Sequence, residues 1–370
     1  MDIFFLIVLL IPPRPSQCGL RSSVLPYDIL CRICDCVDFE TLKVFSLVCH
    51  ETYYDASKRL WRSSTIGTEL GLPVREAQAT FIKRVDIIMA NGHALRLRHL
   101  RILVRSPLTY GDTDPRLLPL LSGGLVTVLR AAVNLMSLDV RSSYHEIAIA
   151  RYLSAAPPLS TFTTDLSCGD GLADFWRTQK QIESLDLLFG ENCTGSLNSP
   201  LPLLKTVRLA TSGQTRVVRG SPVTTVIIRK YNECHAHAVV DDLAHSTATI
   251  TRIELHFDLS CFPTSSMYTD VIASLPYLRF IKVWHPIMGI TVNREKAFNV
   301  LSRMQHLEEF EWVGFITMAE EEELFSPWAN ECRSLRKATF RWHNRPLNVH
   351  RACIFEREST DAPWKLVHRE

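Results

Sequence analysis

The chain has 370 residues, 41 Lys+Arg against 39 Asp+Glu for a formal net charge of +2, and 46% hydrophobic against 22% charged residues. That much apolar side chain excludes disorder of the whole chain. The balanced charge argues against a dedicated nucleic-acid binder, which concentrates basic residues to neutralise phosphates. Eleven cysteines, an odd number spread irregularly over a long chain, read as reduced thiols of the cytosol or nucleus rather than as a disulfide framework.

Ile3 to Ile11 is an unbroken apolar run, followed by Pro12, Pro13 and Arg14. It is too short to cross about 30 Å of hydrocarbon, which takes roughly 20 helical residues. Its length suits a signal-peptide core, with Ser16 to Gly19 as a cleavage region, but Asp2 stands where a basic residue is expected. Residues 1–22 are therefore read as lying outside the fold, and no membrane partner is expected.

From Leu25 to Trp61 the apolar positions recur at helical spacing. Ile29, Leu30, Ile33 and Val37 form one stripe behind Pro26, a residue suited to a first helical turn because it has no amide hydrogen to lose. A second helix from about Thr41 carries Leu42, Val44, Phe45, Leu47 and Val48, and a third runs through Tyr53, Ala56, Leu60 and Trp61. Three short helices give a core that is marginal alone and gains from a partner.

From residue 96 the pattern changes to apolar-x-x-apolar-x-apolar, whose last two apolar positions alternate as in a half-buried strand. Clear copies are Leu97/Leu100/Ile102, Leu135/Leu138/Val140, Ile182/Leu185/Leu187, Leu204/Val207/Leu209 and Val223/Val226/Ile228. Ile250/Ile253/Leu255, Leu278/Ile281/Val283, Leu307/Phe310/Trp312 and Leu335/Ala338/Phe340 continue it, with a weak copy at Leu159/Phe162/Thr164. Segments of helical character, Glu146–Leu153, Ala238–Ala244, Met267–Leu275 and Lys296–Met304, precede several of these strands. Strand, helix, strand in repetition predicts right-handed crossovers and a curved parallel sheet. A single α/β domain whose strands share a template is the alternative.

Two resemblances rest on these residues. Leu25-Pro26-Tyr27-Asp28-Ile29-Leu30, Ile33, Ser46-Leu47-Val48-Cys49-His50, Ala56 and Leu60-Trp61 resemble an F-box of the fungal type, although Thr52 stands where that family usually has Trp. The later template, with spacings in the 20–29-residue range, resembles degenerate leucine-rich repeats that lack the usual Asn or Cys. The expected fold class is α/β: a small three-helix F-box followed by an irregular leucine-rich repeat solenoid. The expected boundaries are F-box 23–66, linker helices 67–95, repeat array 96–345 and a C-terminal tail 346–370.

The resemblance implies the substrate receptor of a Skp–cullin–F-box ubiquitin ligase. Leu25, Pro26, Ile29, Leu30, Ile33, Leu47 and Val48 would dock the Skp adaptor, which links to a cullin, and Leu60 and Trp61 would close the small core or pack it onto the array. The array would hold an unknown target protein. In each template copy the residue between the last two apolar positions points away from the core, which selects Asp139, Asp186, Arg208, Glu254, Lys282, Glu311 and Thr339 as target-facing. The competing reading is an interaction scaffold that no longer engages the adaptor.

Sites for chemistry are few. Cys31, Cys34 and Cys36 with Cys49-His50 have metal-ligand residue types, but without a turn or Gly between them they read as structural thiols. Cys234-His235-Ala236-His237 reads as a polar loop entering a helix, and Asn192-Cys193-Thr194 is a glycosylation acceptor only in a secreted chain. No Gly-x-Ser-x-Gly elbow and no phosphate-binding Gly loop occur. No enzymatic activity and no cofactor or metal is expected. Charge is unevenly placed: Arg96, Arg98, Arg101 and Arg105 mark one end of the array, while Glu308, Glu309, Glu311 and Glu320 to Glu323 mark the other.

Overall fold

The computed structural model describes residues 27–47, 53, 56–57, 59–67, 74–104, 117–142, 150–166, 172–188, 200–232, 235–257, 267–284, 304–314, 332–344, 349–359 and 362–369. The first helices form where the spacing places them. α1 spans Tyr27–Cys36 and α2 spans Phe39–Phe45, with Asp38 as N-cap, its Oδ1 accepting the Thr41 N–H at 2.8 Å. Helical residues at Tyr53, Ala56, Ser57, Arg59 and Leu60 follow. Together they enclose a small cluster of Cys34, Leu42, Phe45 and Ala56, with Ile33, Val37 and Leu60 packed against it.

The remainder is built on one sheet. Among the described residues it has 13 strands in chain order, each hydrogen-bonded to the next. They are β1 (Ser63–Gly67), β2 (His99–Val104), β3 (Ser137–Ser142), β4 (Thr161–Thr164), β5 (Ser184–Leu187), β6 (Thr206–Leu209) and β7 (Thr225–Tyr231). β8 (Arg252–Phe257), β9 (Phe280–Trp284), β10 (Glu309–Val313), β11 (Lys337–Asn344), β12 (Val349–Glu356) and β13 (Lys365–Arg369) complete it. From β1 to β11 every pairing is parallel, whereas β12 and β13 return antiparallel. Each template copy, the weak one included, supplies one strand of β2–β11.

Register explains why the template recurs. Its second apolar position forms a continuous core column from Leu100 through Leu138, Phe162, Leu185, Val207, Val226, Ile253, Ile281 and Phe310 to Ala338. The third position forms a parallel column from Ile66 to Phe340, and nearly all of these side chains are buried in one core. On the other side of that core lie α3 (Val74–Met89), α4 (Leu117–Ala131), α5 (Ala173–Thr178), α6 (Ala236–Ala244), α7 (Met267–Ala273) and short 3₁₀ segments. One stackable layer per repeat, each burying the apolar face of its neighbour, is the physics of a solenoid.

A carbonyl rail holds the layers in step along the N-terminal edge of the strands. The Arg62 carbonyl accepts the amides of both Arg98 and His99, the Arg98 carbonyl those of Met136 and Ser137, and the Met136 carbonyl those of Ser160 and Thr161. The series runs on through Ser160, Glu183, Lys205, Thr224, Thr251, Arg279 and Glu308, reaching Arg336 and Lys337. Polar side chains of several kinds bind backbone groups in the turns between layers. Gln179 accepts the Leu159 N–H at 2.9 Å and donates to the Ala156 and Pro157 carbonyls. The hydroxyl of Ser221 accepts from Leu201 N–H, and that of Ser246 lies 3.0 Å from the Ser221 carbonyl. Arg357 donates to the carbonyls of Leu335, Cys332 and Arg333.

Three elements go beyond the template. β1 precedes its first copy and contains one core residue, Ile66, beside Gly67, where a Cβ would stand 2.7 Å from the Leu103 carbonyl oxygen. Residues 349–369, set apart above as a tail, contain the two returning strands. The Glu146–Leu153 helix is described only from Ala150 onward, and Lys296–Met304 lies outside the described residues except for Met304, which is buried.

Candidate interaction surfaces

Several large apolar side chains described in the helical unit are exposed. Ile29 is 41% exposed, Val44 51%, Tyr53 51% and Leu47 84%, although each belongs to the apolar pattern that should have found a core. Of the residues expected to face an adaptor, Ile29 and Leu47 are thus on the surface, while Ile33 packs against the small cluster and is partly withdrawn. Leu30 lies in α1, and its side chain is outside the described set, as are Leu25, Pro26 and Val48. Leu60 joins the small core, whereas Trp61 packs against the large one and stacks on His93 with ring centroids 4.1 Å apart. Arg96 Nη1 also donates to Ser57 Oγ at 3.1 Å, so ring stacking and a hydrogen bond join the helical unit to the array. Burial, reinforced by the nearby Arg96 charge, holds the His93 imidazole below its ordinary pKa.

The seven residues selected as target-facing do fall on one register column, which runs Arg101, Asp139, Thr163, Asp186, Arg208, Ile227, Glu254, Lys282, Glu311 and Thr339. The column faces away from the core, yet it is not a row of free charges. Asp139 sits between Arg101 and Arg141, at 3.1 and 3.0 Å. Arg229 holds Asp186 through both guanidinium Nη atoms at 2.9 Å. Glu254 receives Arg252 at 2.6 Å and lies 3.9 Å from His256, and Glu311 lies between Lys282 at 3.2 Å and Arg341 at 2.9 Å. The neighbouring His256, then Arg252 and Lys282, hold the Glu254 carboxyl at about 2.

Glu254 and Thr339 are themselves buried, so their side chains are covered by neighbours rather than offered to a target. The carboxylates lie low, and longer cationic side chains fold over them. Arg141, Arg229, Arg252 and Arg341 therefore shape this surface, and template reasoning missed them because they stand at flanking strand positions. For Arg141 and Arg252 the signal was available in sequence, a cation two residues from a column carboxylate in Asp139-x-Arg141 and Arg252-x-Glu254, whereas Arg229 and Arg341 follow Ile227 and Thr339 and reach carboxylates on other strands. Arg208, at the middle of the column, has no carboxylate partner among the described residues. Toward β9 the surface adds aromatic rings, with the Arg252 guanidinium 3.8 Å over Phe280 and His256 5.8 Å from Trp284.

Among the described residues no group of three or more His, Cys, Asp or Glu side chains is placed to hold an ion. Cys34 is buried in the small core and Cys36 is exposed, while Cys49-His50 lies outside the described residues. His235 and His237 are exposed at the start of α6; Cys234 and the Asn192–Thr194 segment lie outside the described residues, as do Arg105 and Glu320 to Glu323. No described helix is long and apolar enough to cross a membrane.

No family model matches the sequence, and no curated protein matches it. Among solved structures, the chain is similar to a TLR13–ssRNA13 complex, at 10% identity with a TM-score of 0.35, covering 75% of this chain and 32% of that one. It spans about a third of the TLR13 chain. It is also similar to the leucine-rich repeat-containing protein LegL7 from Legionella pneumophila, at 13% identity with a TM-score of 0.36, covering 76% of this chain and 90% of the other. The repeat architecture rests on the register of this chain's own sheet.

Proposed function

We propose that this protein is a non-catalytic receptor that docks the Skp adaptor of a cullin ubiquitin ligase through its F-box-like helices and holds a target protein with the array. The carrying observation is the mismatch in the helical unit. Among the described residues the buried apolar side chains there are Cys34, Leu42, Phe45 and Ala56, while Ile29, Val44, Leu47 and Tyr53 are exposed. Covering such side chains contributes about 25 cal/mol per Å² of apolar surface, and an apolar face on a partner is the way to cover them.

The chain would then act by proximity. Holding a target lysine near a charged ubiquitin carrier raises their effective concentration without a reactive group on the receptor. The inner face of the sheet, with its cationic side chains and Phe280 and Trp284, supports a protein target over a small-molecule substrate. An odd number of cysteines spread irregularly over a long chain supports a cytosolic or nuclear place of action.

The test is capture of purified Skp adaptor by the full chain. Leu47→Asp puts a charge on a residue that is 84% exposed, so folding should be unaffected and capture should fall by tenfold or more. Unchanged capture by this variant would remove the docking assignment. Absence of capture by the wild-type chain would leave the adaptor-free scaffold as the better reading.

A further inference from the structure

The carbonyl rail makes a comparison between repeats possible, because each of its residues occupies the same place in its layer. Two neighbouring pairs of opposite charge on the rail are joined, Lys205 with Glu183 at 2.9 Å and Arg279 with Glu308 at 3.6 Å. At the other end the rail begins Arg62, Arg98, Met136. Neither of these two arginines has a carboxylate partner among the described residues.

The same three residues line a groove of about 610 Å³, together with Arg96 and the side chains of Leu95 and Val133. Among the described residues no acidic side chain lines it. Leu95 is 54% exposed, Val133 59% and Met136 47%, so three large apolar side chains stand in water beside the arginines. The floor is fixed. Asn134 Nδ2 donates to the Leu95 carbonyl at 2.7 Å, and the Arg62 and Arg98 carbonyls are locked in the rail. Arg and Met are enriched at protein interfaces, and here they stand beside exposed aliphatic side chains over a fixed floor.

We propose that this groove binds a short acidic segment of a partner protein in which carboxylates alternate with aliphatic residues. The carboxylates would pair with Arg62 and Arg98, whose planar guanidinium groups donate to such oxygens in bidentate fashion. The aliphatic side chains would cover Leu95, Val133 and Met136. A nucleic acid fits less well, since its phosphate backbone offers nothing to those apolar groups and the groove presents no aromatic platform for bases. The groove lies on the edge of the sheet, apart from its inner face, and its role does not depend on adaptor docking.

The experiment uses the full chain and three labelled peptides of equal length: Asp or Glu alternating with Leu, the same acids alternating with Ser, and Lys alternating with Leu. Fluorescence anisotropy should show binding of the first peptide, weakened by salt, with the other two roughly tenfold or more weaker. The double variant Arg62→Gln/Arg98→Gln should weaken the first peptide about tenfold and Met136→Ser about threefold, with unchanged thermal melting; Arg208→Gln on the inner face should have no effect. The proposal is overturned if the first peptide fails to bind or if the acid–Ser peptide binds equally well. It is also overturned if Arg62→Gln/Arg98→Gln and Met136→Ser both bind as wild type, or if Arg208→Gln causes the larger loss.

Discussion

Arg229 on β7 reaches across the whole of β6 to hold Asp186 on β5, meeting both carboxylate oxygens at 2.9 Å. Adjacent strands are about 4.8 Å apart, so only a long side chain with a forked head makes this bridge. Replacing Arg229 by Lys keeps the charge and loses the fork, and should cost about 1 kcal/mol. Alanine at Arg229 should cost about 1–2 kcal/mol because it leaves a mostly covered carboxylate without its cation. The double variant Asp186→Ala/Arg229→Ala should be less destabilised than the two singles summed. Urea midpoints of the four proteins give the coupling directly, and strict additivity would mean that the bridge contributes nothing.

Two glycines should respond to alanine with opposite sign. At Gly67 the new methyl would stand 2.7 Å from the Leu103 carbonyl oxygen and 2.8 Å from its Cβ, so β1 must move away from β2. The expected loss is about 1–3 kcal/mol. At Gly123, inside α4, nothing lies within 4 Å of the added Cβ, and alanine should gain about 0.5–1 kcal/mol through helix propensity. Thermal melting of both variants checks the pair.

Arg357 should be the most sensitive polar residue of the C-terminal layers. It is buried, donates to three backbone carbonyls at 2.6, 2.6 and 2.9 Å, and lies over the Trp364 ring. Methionine fills similar space but strands those carbonyls, for an expected cost of about 3 kcal/mol. Proteolysis followed by mass spectrometry should then find first cuts within 349–369; a cleavage pattern like that of the wild type would contradict this role.

Acid should act on the array and on its junction in different pH windows. The Glu254 carboxyl titrates at about 2 when folded, below its ordinary 4.5. Its stabilisation is therefore present above 4.5 and is lost as pH falls toward 2. For His93 the folded pKa lies below the ordinary 6.5, so the fold favours the neutral ring and weakens as pH drops below 6.5. Melting temperature against pH should show both effects. Glu254→Gln should flatten the lower window, and His93→Phe, which keeps a ring against Trp61, should flatten the upper one.

The strands of the array were legible because each copy puts apolar residues at the positions that register turns into two core columns. The weak copy at Leu159/Phe162/Thr164 was legible for the same reason, with Thr164 tolerated because its hydroxyl accepts the Leu166 N–H. β1 was not legible, since Ile66 alone faces the core and close approach through Gly67 leaves no sequence period. The polar groups of the turns between layers were invisible because Gln179, Ser221, Ser246 and Arg357 come from different offsets and do not repeat. The inner-face column was found by alternation, but its charge state was not. Whether Glu254 is offered or covered depends on Arg252 and His256 on its own strand and on Lys282 on the next, and a period-two rule says nothing about how long side chains fold over short ones.

The antiparallel return of β12 and β13 has an architectural consequence. A parallel solenoid presents the same open edge after every layer, and such an edge invites another chain to add to it. Here the chain reverses at β12 and again at β13, so the last described strand runs in the same sense as β1–β11 but joins them only through an antiparallel partner, and it carries Lys365 and Arg369 at the edge of the described sheet. Cationic side chains on so short an edge strand blunt it against addition of another chain.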